Sequence, residues 1–232
     1  FFGTSGTHAS APALYPKLGY DPIKSFSSIS LLINAPILIV TNASVPGASL
    51  KEFIAFAKAR PGKLSYGSGN LAGNIVGEMF KIQTGIDMVH VPYKGAAPAV
   101  TALIADRVQM MFDVHTTFQA FLASGKARPL AVTAPRRLTR LPDLPTSAES
   151  GLPGFEFSVW FALFASSGIS GGVQQRLNAE VQKALATREV KDAFANQGME
   201  PTGSTPEELT ALMAEDISKW ARAVKLSGAK AD

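Results

Sequence analysis

An alternation of signals constrains this chain more than any single motif. Through the middle of the sequence, short apolar runs are each followed by a Gly, Ser, Asn or Pro loop and then by a helical period. That order implies a parallel or mixed sheet covered by helices. The clearest helix start is Ser49, where Glu52 stands at capping-box spacing and Leu50, Phe53, Ile54 and Ala57 recur at helical intervals until Pro61-Gly62. A strand is predicted over 63–66. Helices over 75–83, 98–106 and 118–124 then alternate with strands over 88–91, 108–112 and 129–132. A loop rich in Pro and Leu, 135–153, leads into an aromatic and apolar run, 155–164.

The last third reads as helices. Val173, Leu177, Val181 and Leu185 share one helical face, and Val190 and Phe194 share another before Gly198. Thr205-Pro206-Glu207-Glu208 opens a final helix with an N-cap, a proline at N1 and a returning carboxylate. Leu209, Leu212, Met213, Ile217, Trp220 and Val224 follow at spacings of three and four, as a core stripe does. Apart from a short strand candidate at 199–202, these helices have no sheet of their own. The expected architecture is therefore a two-lobed α/β fold, with residues 42–154 inserted between two halves of a first lobe, 1–41 and 155–232. Segments 37–40 and 155–164 would cross between the lobes.

Composition removes several function classes. With 46% hydrophobic residues the chain has material for a sizeable core, while the net charge of +4 is scattered and makes no concentrated basic face. Nucleic acid is not an expected partner. Without cysteine there are no disulfides, no thiolate catalysis and no Cys-ligated zinc. No apolar stretch reaches the ~18 residues that span a bilayer. His8, His90 and His115 lie far apart without metal-ligand spacing, and no nucleophile elbow or phosphate-loop motif occurs. Neither catalysis, a metal nor a cofactor is expected.

Four polar loops remain as candidates for binding. Gly67-Ser68-Gly69-Asn70, with Asn74 beyond it, follows a strand and precedes a helix, but its spacing fails the dinucleotide fingerprint. Such a loop can hold an anion, because glycine admits close backbone approach and the next helix begins with N–H groups that lack internal acceptors. Tyr93-Lys94-Gly95-Ala96 and Asp113-Val114-His115-Thr116 are junctions of the same kind, and Thr4-Ser5-Gly6-Thr7-His8 is a fourth, from the other lobe. In an open α/β sheet the carboxyl ends of parallel strands share one edge, so the first three of these loops are expected to converge on one crevice. Taken singly, each loop is also what any α/β protein uses for turns and caps. Hydroxyls, amides and backbone donors dominate the set. Lys94 is its one obvious cation and no arginine occurs in it, which favours reversible binding of an anion over acid–base chemistry. Asp113 is expected to cap the helix that opens near Thr116 or, alternatively, to accept a bond from an amine or hydroxyl of the ligand.

At this point the sequence resembles the substrate-binding proteins of tripartite tricarboxylate transporters, the Bug family. The matching stretches run in family order: Gly3-Thr4-Ser5-Gly6-Thr7-His8-Ala9, Tyr20-Asp21-Pro22-Ile23-Lys24, Pro61-Gly62-Lys63-Leu64-Ser65-Tyr66-Gly67-Ser68, Val89-His90-Val91-Pro92-Tyr93-Lys94-Gly95, Met111-Phe112-Asp113, Leu130-Ala131-Val132-Thr133, Leu144-Pro145-Thr146, Glu149-Ser150-Gly151-Leu152-Pro153-Gly154 and Arg176-Leu177-Asn178-Ala179-Glu180. The resemblance implies a type II periplasmic binding-protein fold that closes over a small mono-, di- or tricarboxylate and delivers it, as a monomer, to a membrane permease. It also implies that the Thr7 and Ser68 loops, Tyr93 to Gly95, and Asp113 lie near the cleft. Two departures stand out. Leu71 and Ala72 occupy positions where the family has a hydroxyl, and the chain starts after the family's first strand, Pro-Gly-Gly loop and first helix. The other function weighed is the effector-binding domain of a transcription regulator, which a preceding helix-turn-helix segment would distinguish.

Overall fold

The structure, a computed structural model, describes all residues except 16, 197, 198, 200 and 229–232. The chain divides into two compact units: Phe1–Ala35 with Val159–Asp232, and Pro36–Ser158.

The second unit holds the alternating elements. Its strands are the latter part of β2 (Phe26–Asn42), then β3 (Leu64–Ser68), β4 (Met88–Pro92), β5 (Met110–Val114) and β6 (Ala127–Val132). Between them lie α2 (Leu50–Lys58), α3 (Leu71–Thr84), α4 (Ala96–Ile104) and α5 (His115–Ala123). β3 pairs in parallel with both β4 and β5, while β2 runs antiparallel to β5 and β6. α3 thus crosses over between the parallel neighbours β3 and β4, and α4 leads from β4 past β3 to β5. Leu38, Val40, Ala99, Val100, Leu103, Val108, Met111, Phe118 and Val132 form one buried cluster under α4 and α5. Ser49 caps α2 by accepting the Glu52 N–H at 3.2 Å, but the Glu52 carboxylate returns to the N–H of Ala48, one residue before the cap, instead of closing the expected box.

In the first unit, β1 (Phe2–Thr4) pairs antiparallel with β7 (Ser158–Ser166), which has β2 on its other side. One π-helical turn, Gly6–Ser10, leads into α1 (Ala11–Leu14). The remaining helices are α6 (Gly171–Ala186), α7 (Arg188–Asn196) and α8 (Pro206–Ser227). The capping box at Thr205 is present, with Glu208 N–H to Thr205 Oγ1 at 3.1 Å and Thr205 N–H to Glu208 Oε2 at 2.8 Å. Leu209, Met213, Trp220 and Val224 of the expected stripe are buried; Leu212 and Ile217 are half-buried.

Two expectations need correction. The segment expected over 37–40 is a strand of 17 residues, because the apolar pattern of Ile29, Leu31 and Ile33 continues through it. On α6 the Val173 and Leu177 side chains are 49% and 39% exposed, and only Leu185 of that face is buried. The amides turn inward instead: Gln174 donates to the Ser28 carbonyl, Asn178 to those of Ile29 and Ser204, and Gln182 to the Ser30 hydroxyl and the Ser204 carbonyl. Backbone acceptors of β2 and of the turn before α8 need donors there, and that need outweighs the burial of two aliphatic side chains. Of the strand candidate at 199–202, residue 200 lies outside the described residues; Pro201 bridges to Ile33 and the Thr202 N–H donates to the Leu32 carbonyl at 2.9 Å.

Candidate functional site

Within the second unit, three strand-to-helix loops meet. The registers Ser68 to Pro92 and Gly67 to Met111 place the carboxyl ends of β3, β4 and β5 along one edge. Gly69 lies so close to Gly95 that a β-carbon on it would overlap the Gly95 carbonyl, and the Tyr93 N–H donates to the Ser68 carbonyl at 2.9 Å. Gly73 packs on the end of β5, where an added β-carbon would come within 2.7 Å of the Phe112 carbonyl oxygen. Gly67 faces the Tyr93 ring in the same way, at 3.3 Å. At Gly69 and Gly73 the missing side chain therefore serves close approach of backbones, one of the two uses anticipated for glycine.

The donors and acceptors at this junction are partly committed. Asn70 caps α3 through its side-chain oxygen, which accepts the Gly73 N–H at 2.8 Å, and its Nδ2 donates to Asp113 Oδ2 at 3.1 Å. Asp113 does not cap α5 as expected: it stands within β5, Val114 occupies the N-cap position, and α5 has no side-chain cap. Its other oxygen accepts the Val114 N–H at 2.8 Å. Burial pushes the Asp113 carboxyl above the usual carboxylate range, against the pull of Val114, Asn70 and Thr117 as hydrogen-bond donors. Gly95, at φ 113°, precedes α4, which also lacks a side-chain cap, so the first-turn N–H groups at Ala96 and Ala97 have no intrahelical acceptor. Lys94 is exposed beside them.

His90, isolated in the sequence, has a partner. Its Nε2 lies 2.7 Å from the Ser68 hydroxyl, and its ring stacks on Tyr66 at 4.9 Å. Burial holds the imidazole below its ordinary pKa. The Tyr66 hydroxyl donates to Glu78 at 2.6 Å and touches the Asn74 side-chain oxygen at 3.2 Å, and Lys81 pairs with Glu78 at 3.0 Å. Burial and the nearby Glu78 carboxylate both hold the Tyr66 phenol in its protonated form. A serine–histidine pair resembles a nucleophile and its base, but acyl transfer needs a third group that orients the imidazole. Glu78 is the nearby acid, and its bonds go to Tyr66 and Lys81.

The loop of the first unit is organised differently. Thr4 and Thr7 bond to one another reciprocally, Thr4 N–H to Thr7 Oγ1 at 2.9 Å and Thr7 N–H to Thr4 Oγ1 at 3.2 Å. Gly6 and Thr7 are exposed, whereas Ser5 and His8 are buried. The His8 ring stacks on Phe164 at 4.4 Å with Phe26 at 4.9 Å, its Nδ1 is 2.9 Å from Thr7 Oγ1, and its Nε2 is buried without a hydrogen-bond partner. His8 is thus a core aromatic more than a contact group. Among the described residues, no cluster of His, Cys, Asp or Glu could hold a metal ion, and no helix is long and apolar enough to cross a membrane.

Residues 3–228 match the model of the tripartite tricarboxylate transporter family receptor. The chain belongs to this family. It is 33% identical over 220 residues to protein BugT of Bordetella pertussis, covering 94% of this chain and 68% of that one. It spans between 63% and 68% of the length of the first curated relatives it matches. Among solved structures, the R. palustris protein Rpa4515 with adipate superposes at a TM-score of 0.83 and 34% identity, over 98% of this chain and 77% of that one. MatC (Rpa3494) from Rhodopseudomonas palustris with bound malate does so at 0.78 and 31%, over 96% and 78%. This Bug-family chain therefore has the mixed α/β fold of periplasmic binding proteins, and its family is one of substrate-binding receptors.

Proposed function

We propose that this receptor works in the periplasm, where it captures a small mono-, di- or tricarboxylate and passes it unchanged to a membrane permease. The observation that carries this is the junction of the β3–α3 and β4–α4 loops at Gly69 and Gly95, beside the uncapped start of α4. Main-chain N–H groups there, with Ser68, Asn70 and Lys94, supply donors and little basicity, which suits an anion that is bound and released. Relatives described with adipate and with malate support a carboxylate as the ligand class. The receptor acts as a monomer, with no cofactor and no nucleic-acid partner.

Calorimetry of the full-length protein tests this against acetate, malate, adipate and citrate, with glucose and putrescine as controls. Saturable binding of one or more carboxylates is expected, with each recovered unaltered after incubation. Preference for the sugar or the amine, or conversion of a bound acid, would overturn it.

A further inference from the structure

Ser68 is only 5% exposed, and His90 Nε2 lies 2.7 Å from its hydroxyl. The ring is held against Tyr66 at an interplanar angle of 26°. A serine hydroxyl has one proton and can accept others, and an ionised carboxylate only accepts. If Ser68 donates to Nε2, it has no proton for a carboxylate ligand. If Nε2 carries the hydrogen and Ser68 accepts it, the hydroxyl proton is left for the ligand.

We propose that His90 is a positioning residue for carboxylate binding: its Nε2–H donates to Ser68 Oγ and so assigns the Ser68 proton to the bound anion. This rests on the β3–α3 loop being part of the binding site, as set out above. Tyr66 fixes the ring plane from β3, and its hydroxyl is anchored on Glu78 of α3. The charged groups acting on the ring are Glu78 and Lys81 of α3, which oppose each other.

The assignment has a pH signature. Burial keeps His90 neutral near pH 7 in the free protein. Its cation has hydrogen on both nitrogens and can only donate to Ser68, and a nearby anion favours that cation. Ligand binding therefore raises the His90 pKa, proton uptake accompanies binding, and affinity grows as the pH falls.

Adipate and malate are the probes, titrated into the full-length protein and three variants at pH 8 and pH 6, with melting temperatures measured in parallel. Wild type should gain about two- to fivefold in affinity at pH 6. H90Q keeps an N–H donor that does not titrate, so it should bind close to wild type at pH 8 and show no gain at pH 6. H90F keeps the stack without the donor and should weaken binding about five- to twentyfold, as should S68A. If H90F folds poorly, the pH profile of H90Q decides. Wild-type affinity in H90F or S68A, or an unchanged pH gain in H90Q, would overturn the role of His90 and leave the receptor function standing. Failure of wild type to bind any carboxylate would instead remove the functional proposal itself.

Discussion

Gly69 and Gly95 meet backbone to backbone, with no room for a side chain between the loop that ends β3 and the loop that opens α4. A methyl group on Gly69 must push the β4–α4 loop away. Gly69→Ala is expected to destabilise the protein by about 1 to 3 kcal/mol and to abolish or sharply weaken carboxylate binding. Gly95→Ala faces no overlap, but its φ of 113° costs about 1 to 3 kcal/mol for a residue with a β-carbon. Urea denaturation and calorimetry on both variants check this; wild-type stability in Gly69→Ala would contradict the packing described.

Asp113 predicts a contrast between two substitutions. In Asp113→Asn, relief of a buried charge offsets a weakened acceptor, and stability at pH 7.5 should change by less than about 1 kcal/mol. Asp113→Ala strands the Asn70 amide and the Val114 N–H and should cost about 1 to 3 kcal/mol. The pH dependence has a definite sign. A carboxyl with a folded pKa above its unfolded value lets the native state hold more protons, so its contribution improves as pH falls through that raised value and worsens as pH rises through it. Denaturation midpoints between pH 7 and 4 should lose this component in Asp113→Asn.

The histidines act in the opposite sense. Burial lowers the pKa of His8, His90 and His115, so below about pH 6.5 the unfolded chain takes up protons that the folded chain does not. Stability is full above that pH and declines as pH falls through it. His8→Phe preserves the stack on Phe164, and its denaturation midpoint should depend less on pH between 7 and 5.5 than that of wild type. An unaltered slope would show that His8 is protonated in place.

Trp160 and Asp216 form a buried pair, the indole N–H donating to the carboxylate at 2.7 Å with Lys219 3.3 Å from the other oxygen. Asp216→Ala leaves the indole N–H unsatisfied in the core, at a cost of about 2 to 4 kcal/mol. Thermal unfolding followed by Trp fluorescence checks the loss, and Asp216→Asn should recover part of it.

The sequence made the elements themselves legible, because periodicity and caps are local: Ser49, Thr205 and the strands that became β3 to β6 are found within a few residues of their expected places. The pairings were not legible, because they join residues distant in sequence. Ser68 and His90 are 22 residues apart and meet only through the parallel register of β3 and β4. Asp113 lies within β5 and not at the helix cap, because the strand runs two residues past its apolar core, to Val114. On α6 two ladders, aliphatic and amide, share the same four-residue spacing, and the sequence alone does not tell which faces inward.

The uncapped start of α4 has an evolutionary corollary. Its donors belong to the main chain, so no substitution at Ala96 or Ala97 short of proline deletes them. Under the proposed function, recognition of an acid group is inherited with the path of the chain, while neighbouring side chains can drift. Paralogues could then exchange one acid for another of different length or branching by changing only what surrounds that turn, without passing through an intermediate that no longer binds anions.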